Sequence, residues 1–283
     1  MLSKNVEVFM GCDWEPEKAD TILFGAPFDS TTSYRPGTRF GSSAIRHEAY
    51  GLEDYSPYQD KDLSQVKTAD IGDLELCIGD TKTVLDQIEA CAGEILAAGK
   101  RPFMLGGEHL VTLGAFRAAV KKYPDIHIIH FDAHADLRED YLGMPLSHAC
   151  VLRRCWELAG DGKIFQFGIR SGDRKEFEWG KDHVTTQKFS FDGLEETLEL
   201  LRGKPVYFTV DLDVMDPSVF PGTGTPEPGG VSFDELRKAV TLVCSRAEVM
   251  ACDVNELSPH YDQSGVSTMA AGKIVREMLL ALG

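Results

Sequence analysis

The chain has 283 residues, 43% of them hydrophobic and 26% charged, enough apolar content for a sizeable core. Its formal net charge of -16 argues against nucleic acid or an anionic membrane as partner and suits a small cationic molecule. No apolar run resembles a secretory signal or approaches the roughly 20 residues that span a bilayer, and the seven cysteines form no C-x-x-C pair. The expectation is a cytoplasmic protein with reduced thiols.

In chain order, short apolar or β-branched runs read as strands at "TILFGAPF" (21–28), "VKTADIG" (66–72), "PFMLGG" (102–107) and "IHIIHF" (126–131). "IFQFGI" (164–169), "HVTTQKF" (183–189), "VYFTVDLD" (206–213) and "VMACDVNEL" (249–257) follow. Helical spacing fills the gaps. Over 81–99, Val84, Leu85, Ile88, Cys91, Ile95 and Leu96 fall on one stripe, with Gly99 as a C-terminal stop. In "VSFDELRKAVTLVCSR", Ser232 and Glu235 have capping-box spacing. Strands alternating with helices predict a three-layer α-β-α fold around a mostly parallel sheet of about eight strands. No linker or repeat divides the chain, so 1–283 reads as one α/β domain.

The chemistry collects at the ends of three of these strands. Asp132, His134 and Asp136 occupy alternate positions and project to one side of an extended chain. Asp211 and Asp213 repeat the pattern, and "GGEH" places Glu108 and His109 after a glycine turn. Carboxyl ends of strands are where open α/β sheets bind ligands. Carboxylates crowded into such a site repel one another unless divalent cations are bound. Asp and His without thiolate is a donor set that points to Mn²⁺ before Zn²⁺ or Mg²⁺. Any one motif alone fits a loop, a helix cap or a single structural cation; three together predict a two-metal site. His130 shares the face of Asp132, either as its partner or as a core histidine, and Glu108 points away from His109 and reads as structural.

These blocks resemble the ureohydrolase family of arginases and agmatinases. "GGEH", "FDAHAD" and "TVDLDVMDPSVFPGTGTPEPGG" look like its three signatures, and "PFDSTTSYRPGTRFGSSAIR" (27–46) and "DVNELSPHYD" (253–262) also match. The resemblance implies an arginase-like fold and two Mn²⁺ per chain held by His109, Asp132, His134, Asp136, Asp211 and Asp213, with Asp132, Asp136 and Asp211 as candidates to bridge. It further implies that Glu256 faces the guanidinium group of a substrate, that His148 binds near it and relays protons, and that Asp136 carries a proton to the leaving amine. By residue type alone Glu256 reads as a turn cap and His148 as an exposed histidine. The chain has His148-Ala149 where agmatinases often have His-Gly.

Within the family the sequence looks most like bacterial agmatinases, which hydrolyse agmatine to putrescine and urea by attack of a metal-bridging hydroxide. That implies a small cationic guanidino substrate, a role in polyamine biosynthesis and a homo-oligomer, trimer or hexamer. Glu139 and Asp140, in the loop after the D-x-H-x-D motif, suit an ammonium tail better than a carboxylate. The rival readings are an arginase or guanidinobutyrase, a metal-dependent phosphoesterase, and a metal-binding regulator without activity.

Overall fold

The computed structural model describes residues 7–283, so the first six residues of the stretch read above for a secretory signal lie outside it. Its strands are β1 (Thr21–Gly25), β2 (Tyr55–Ser56), β3 (Lys61–Asp62), β4 (Thr68–Asp73), β5 (Arg101–Leu105), β6 (His127–Phe131), β7 (Ile164–Ile169), β8 (Thr185–Lys188), β9 (Pro205–Asp211) and β10 (Glu248–Asn255). Its helices are α1 (Gly41–Glu48), α2 (Thr81–Ala97), α3 (Val111–Lys122), α4 (Val151–Ala159), α5 (Arg174–His183), α6 (Leu194–Leu200), α7 (Phe233–Arg246) and α8 (Val266–Leu282).

Eight strands form one sheet in the order β4-β1-β5-β10-β9-β6-β7-β8. Every neighbouring pair in it is parallel. All eight runs read as strands from the sequence are there. The small antiparallel β2–β3 hairpin is new, because two-residue strands leave no periodicity to read. The last two strands insert between earlier ones. β9 and β10 fill the gap between β5 and β6, so four strands distant in sequence end side by side.

Alternation along the strands sends side chains into two apolar layers. Leu23, Phe103, Phe131 and Phe208 pack with residues of α7 and α8, while Ile22, Met104, Ile128 and Tyr207 pack with residues of α2, α3 and α4. Helix α2 buries Val84, Leu85, Ile88, Ile95 and Leu96 as its stripe predicts, but Ala92 rather than Cys91 takes the core position between them. Gly99 follows with φ +76, a left-handed stop that favours glycine. The Ser232–Glu235 capping box opens α7. All seven cysteines are free, and among the described residues no helix is long and apolar enough to cross a membrane.

The loop that enters α8 is tied down by one carboxylate. Asp262 accepts from the backbone and hydroxyl of Ser267 in the first turn of α8, both at 2.7 Å, and from those of Ser264. Burial raises its pKa, but these hydrogen bonds outweigh burial and bring it to about 2. A folded-state pKa below the unfolded value of about 3.9 gives stability that is full above that pH and lost as pH falls through the folded value. Asp262→Asn should therefore cost about 1–3 kcal/mol at pH 7, the worth of hydrogen bonds to a charged group. Urea unfolding should show that gap closing as pH drops towards the folded-state pKa; a gap independent of pH would contradict the role.

Candidate metal centre

The site is built on the carboxyl ends of β5, β10, β9 and β6. Two glycines let the segment after β5 reach it. A Cβ on Gly107 would lie 2.0 Å from the Phe28 carbonyl oxygen, and one on Gly106 would lie 1.8 Å from Asn255 Oδ1. No side chain fits at either place. His109 follows at once, Asp132, His134 and Asp136 lie just past β6, Asp211 ends β9, Asp213 sits in the 3-10 turn Leu212–Val214, and Glu256 follows β10.

The six predicted ligands converge in two groups. In the first, His109 Nδ1 lies 3.0 Å from Asp132 Oδ2, 3.2 Å from Asp136 Oδ2 and 3.4 Å from Asp211 Oδ2. In the second, His134 Nδ1 lies 3.0 Å from Asp213 Oδ2 and 3.4 Å from Asp132 Oδ1. Asp132 belongs to both, one oxygen to each. Asp213 accepts from Ala133 N at 3.2 Å and Thr225 Oγ1 at 3.2 Å, and Asp211 Oδ1 accepts from Asp213 N at 2.8 Å.

Ring tautomers decide whether this is an ordinary hydrogen-bond cluster. His109 Nε2 is 2.8 Å from the Thr209 hydroxyl, which itself donates to Asp253 Oδ1 at 2.6 Å. A hydroxyl that spends its proton on a carboxylate can only accept from the ring, so Nε2 carries hydrogen and Nδ1 faces three carboxylates. A bare lone pair there would be repelled; the position demands a cation, either a proton or a metal. Burial pulls His109 and His134 down, but the neighbouring aspartates outweigh it and drive both well above the ordinary histidine value. Burial and the charges of Asp213, Asp132 and Glu256 push Asp211 well above the usual carboxylate range. Burial acts the same way on Asp132, yet the surrounding imidazoles hold it well below. The donor set fits a pair of divalent cations.

Beside the metal groups stand Glu256 and His148. Glu256 Oε1 accepts from His109 N at 2.7 Å and lies 3.7 Å from His148 Nδ1. His148 Nε2 accepts from Ser33 N at 3.1 Å and lies 2.9 Å from Ser33 Oγ. Two pulls meet at this ring. Burial lowers its pKa while Glu256, Asp136 and Glu108 raise it, to about 9; the Ser33 amide needs a lone pair on Nε2 and favours the neutral form. The amide bond is the direct contact, and it puts the neutral ring's hydrogen on Nδ1, towards Glu256. Both residues are buried, so neither is the turn cap or exposed histidine that residue type alone describes. Ala149 lies in the 3-10 turn His148–Cys150 with no positive φ, so its methyl group is accommodated.

Asp136 and Glu256 have φ of 53 and 68, left-handed values that cost a non-glycine residue about 1–3 kcal/mol. Their surroundings hold them there. The Asp136 carbonyl accepts from Leu152 N and Arg153 N at the start of α4, and Glu256 N donates to the Gly107 carbonyl at 2.9 Å. A cavity of about 240 Å³ opens over the cluster, lined by Ser33, His134, Asp136, His148, Asp173 and Thr225 among others. A larger hollow of about 560 Å³ at the amino ends of β1, β5 and β10 holds no such cluster.

The family described as Arginase family matches residues 19–281. The chain belongs to the arginase family. A Bacillus subtilis (strain 168) relative named agmatinase is 48% identical over 277 residues, covering 97% of this chain and 96% of that one. A solved structure from Clostridium difficile superposes with a TM-score of 0.93 at 50% identity, covering 95% of this chain and 98% of that one. The agmatine ureohydrolase of Thermoplasma volcanium superposes with a TM-score of 0.89 at 35% identity, covering 99% and 95%. Arginase-family enzymes are binuclear metal enzymes, and the two ligand groups fit that description.

Around this arginase-family centre stand residues whose partners only the structure reveals. Glu108 turns away from the cluster, as expected, but it accepts from Thr31 N at 2.8 Å and from the hydroxyls of Thr31 and Thr32. Burial raises it to about 7. Thr31 Oγ1 in turn accepts from His148 N at 3.0 Å, so Glu108 anchors the loop that holds His148. Arg170 donates to the carbonyls of Asp213, Val214 and Glu227 and fastens the Gly/Pro loop 216–230. Glu139 and Asp140 are exposed and do not line the cavity, and Asp140 accepts from Gly143 N in a local turn. The acids that do line it, besides Asp136, are Asp173 and Glu176 at the start of α5.

Because His109 keeps a hydrogen on Nε2 and turns Nδ1 to three carboxylates, a metal bound there displaces a proton, and loading the metal-free protein should release protons. Calorimetric titration with Mn²⁺ in buffers of different ionisation enthalpy reads this release directly. Binding with no proton release would contradict the arrangement of ring nitrogens.

Proposed function

We propose that this protein is a manganese-dependent agmatinase, cleaving the guanidinium group of agmatine to give putrescine and urea. The observation that carries the reading is Asp132, whose two oxygens lie in two different ligand groups, as a carboxylate shared by two metals requires. The ligands would be His109, Asp132, Asp136 and Asp211 for one ion, and His134, Asp132 and Asp213 for the other, with Asp136 and Asp211 as further bridging candidates. Carboxylates and imidazoles without thiolate favour Mn²⁺. When bound, a pair of such ions supplies Lewis acidity that makes water a nucleophile near neutral pH.

The chain's own residues do the rest. Glu256, buried and tied to His109 N, pairs with the guanidinium by charge-assisted hydrogen bonds and fixes its carbon beside the metal groups. Asp136 takes the proton of the attacking water and hands it to the departing amine. His148 contributes to binding and relays protons through Nδ1, while its Nε2 is engaged by Ser33. Asp173 and Glu176 line the cavity paired with Arg138, so the preference for an ammonium tail rests on the family resemblance. As the family resemblance implies, the working form is a homo-oligomer.

The 48% identity to Bacillus agmatinases supports agmatine over arginine or 4-guanidinobutyrate. A metal-dependent phosphoesterase usually adds Lys, Arg or a helix N-terminus to hold the phosphate. The one arginine or lysine lining the cavity, Arg138, is paired with Asp173 at 3.1 Å and Glu176 at 3.4 Å.

Mn²⁺-loaded protein should release urea fastest from agmatine among agmatine, arginine and 4-guanidinobutyrate. Phosphatase activity without urea would contradict the reading, and silence on every substrate would favour a regulator. Glu256→Gln should lower kcat/KM at least about 100-fold, the cost of unpairing a buried charge, with its metal content unchanged.

A further inference from the structure

The parallel register places five polar residues in one row across the sheet. Asp253 on β10 pairs with Thr209 on β9, Thr209 with His130 on β6, His130 with Gln166 on β7, and Gln166 with Thr186 on β8. The first four are fully buried. They lie on the face of the sheet that otherwise packs apolar side chains against α2, α3 and α4, directly below the metal groups. Unpaired polar groups there would be costly, so their hydrogen bonds should be complete and directional.

The direction of each bond follows from one fixed acceptor. Gln166 Nε2 is 2.7 Å from the Ala135 carbonyl oxygen, which cannot donate, so that atom is the amide nitrogen. Thr186 Oγ1 donates to Gln166 Oε1 at 3.0 Å, in agreement. The same Nε2 lies 3.0 Å from His130 Nδ1 and must donate to it. With Nδ1 accepting, the hydrogen of His130 sits on Nε2 and points at Asp132 Oδ2, 2.8 Å away. His130 therefore has no lone pair for a metal, although it clusters with His109 and Asp132.

Asp132 Oδ1 is engaged in the same way by His134 N, at 2.6 Å. Each carboxylate oxygen thus gives one lone pair to a fixed N–H and keeps the other for one metal group. We propose that His130 and Gln166 are positioning residues for the metal pair: Gln166 sets the tautomer of His130, and the Nε2–H of His130 locks Asp132 in its bridging orientation. This rests on the binuclear reading above.

The test compares wild type, His130→Phe, His130→Gln and Gln166→Leu, each dialysed against graded free Mn²⁺ and assayed for bound metal, with the melting temperature of the metal-free protein alongside. Wild type should hold two ions per chain. His130→Phe, which removes the N–H, should need about 10–100-fold more free Mn²⁺ for half-occupancy, the usual cost of losing such a support. His130→Gln, which keeps an N–H near the same place, should recover most of that loss whatever its melting temperature. Should His130→Phe fail to fold, Gln166→Leu carries the test, since it frees His130 to adopt the other tautomer and should weaken Mn²⁺ binding similarly. Equal affinities in wild type, Gln166→Leu and any folded His130→Phe would overturn the inference alone, as would metal loss that tracks melting temperature rather than the N–H. A wild type that holds no pair of ions would overturn the binuclear reading and this inference with it.

Discussion

Four aspartates and two histidines are forced together at the carboxyl edge of a parallel sheet, and their mutual repulsion is the constraint on which the rest of this structure depends. Asp132 and Asp213 are buried, and His109 Nδ1 faces three aspartates. Such a group is stable only if positive charge is returned to it. Protons on the histidine rings, or divalent cations in their place, would return it. The backbone around the cluster is shaped to the same end: Asp136 and Glu256 take left-handed conformations, and Gly106 and Gly107 leave room for the Asn255 side chain and the Phe28 backbone.

Sheet order turns that local chemistry into one site. Because β9 and β10 insert between β5 and β6, the motifs around His109, Asp132, Asp211 and Glu256 meet, although nearly 150 residues separate the first from the last. Below them lies a hydrogen-bonded polar row, and above them the loop that brings Ser33 to His148 is fastened by Glu108. The centre is thus held from both sides, as a site that must keep two charges at fixed places requires.

Much of this was legible in the residues. Apolar runs marked all eight strands of the sheet, and alternation in D-x-H-x-D and D-x-D marked side chains that converge at strand ends. The family blocks pointed to Glu256 and His148 where residue type alone favoured duller roles. What stayed hidden depends on segments that approach only in three dimensions. Ser33 meets His148 across 115 positions, and Glu108 meets Thr31 across 77, so no local pattern could pair them. Thr209 and Asp253 looked like ordinary strand residues until the register set them in one row. Glu139 and Asp140 misled because charge in a loop says nothing of which way it faces. The stripe on α2 was off by one at Cys91 because two neighbouring small residues fit the same helical phase.

The central claim, that six side chains form one cage for a pair of manganese ions, is most directly tested by anomalous diffraction from crystals of the Mn²⁺-loaded protein. Two manganese peaks are predicted, one at His109 Nδ1 and one at His134 Nδ1, with Asp132 touching both. A single peak, or peaks away from these nitrogens, would contradict it.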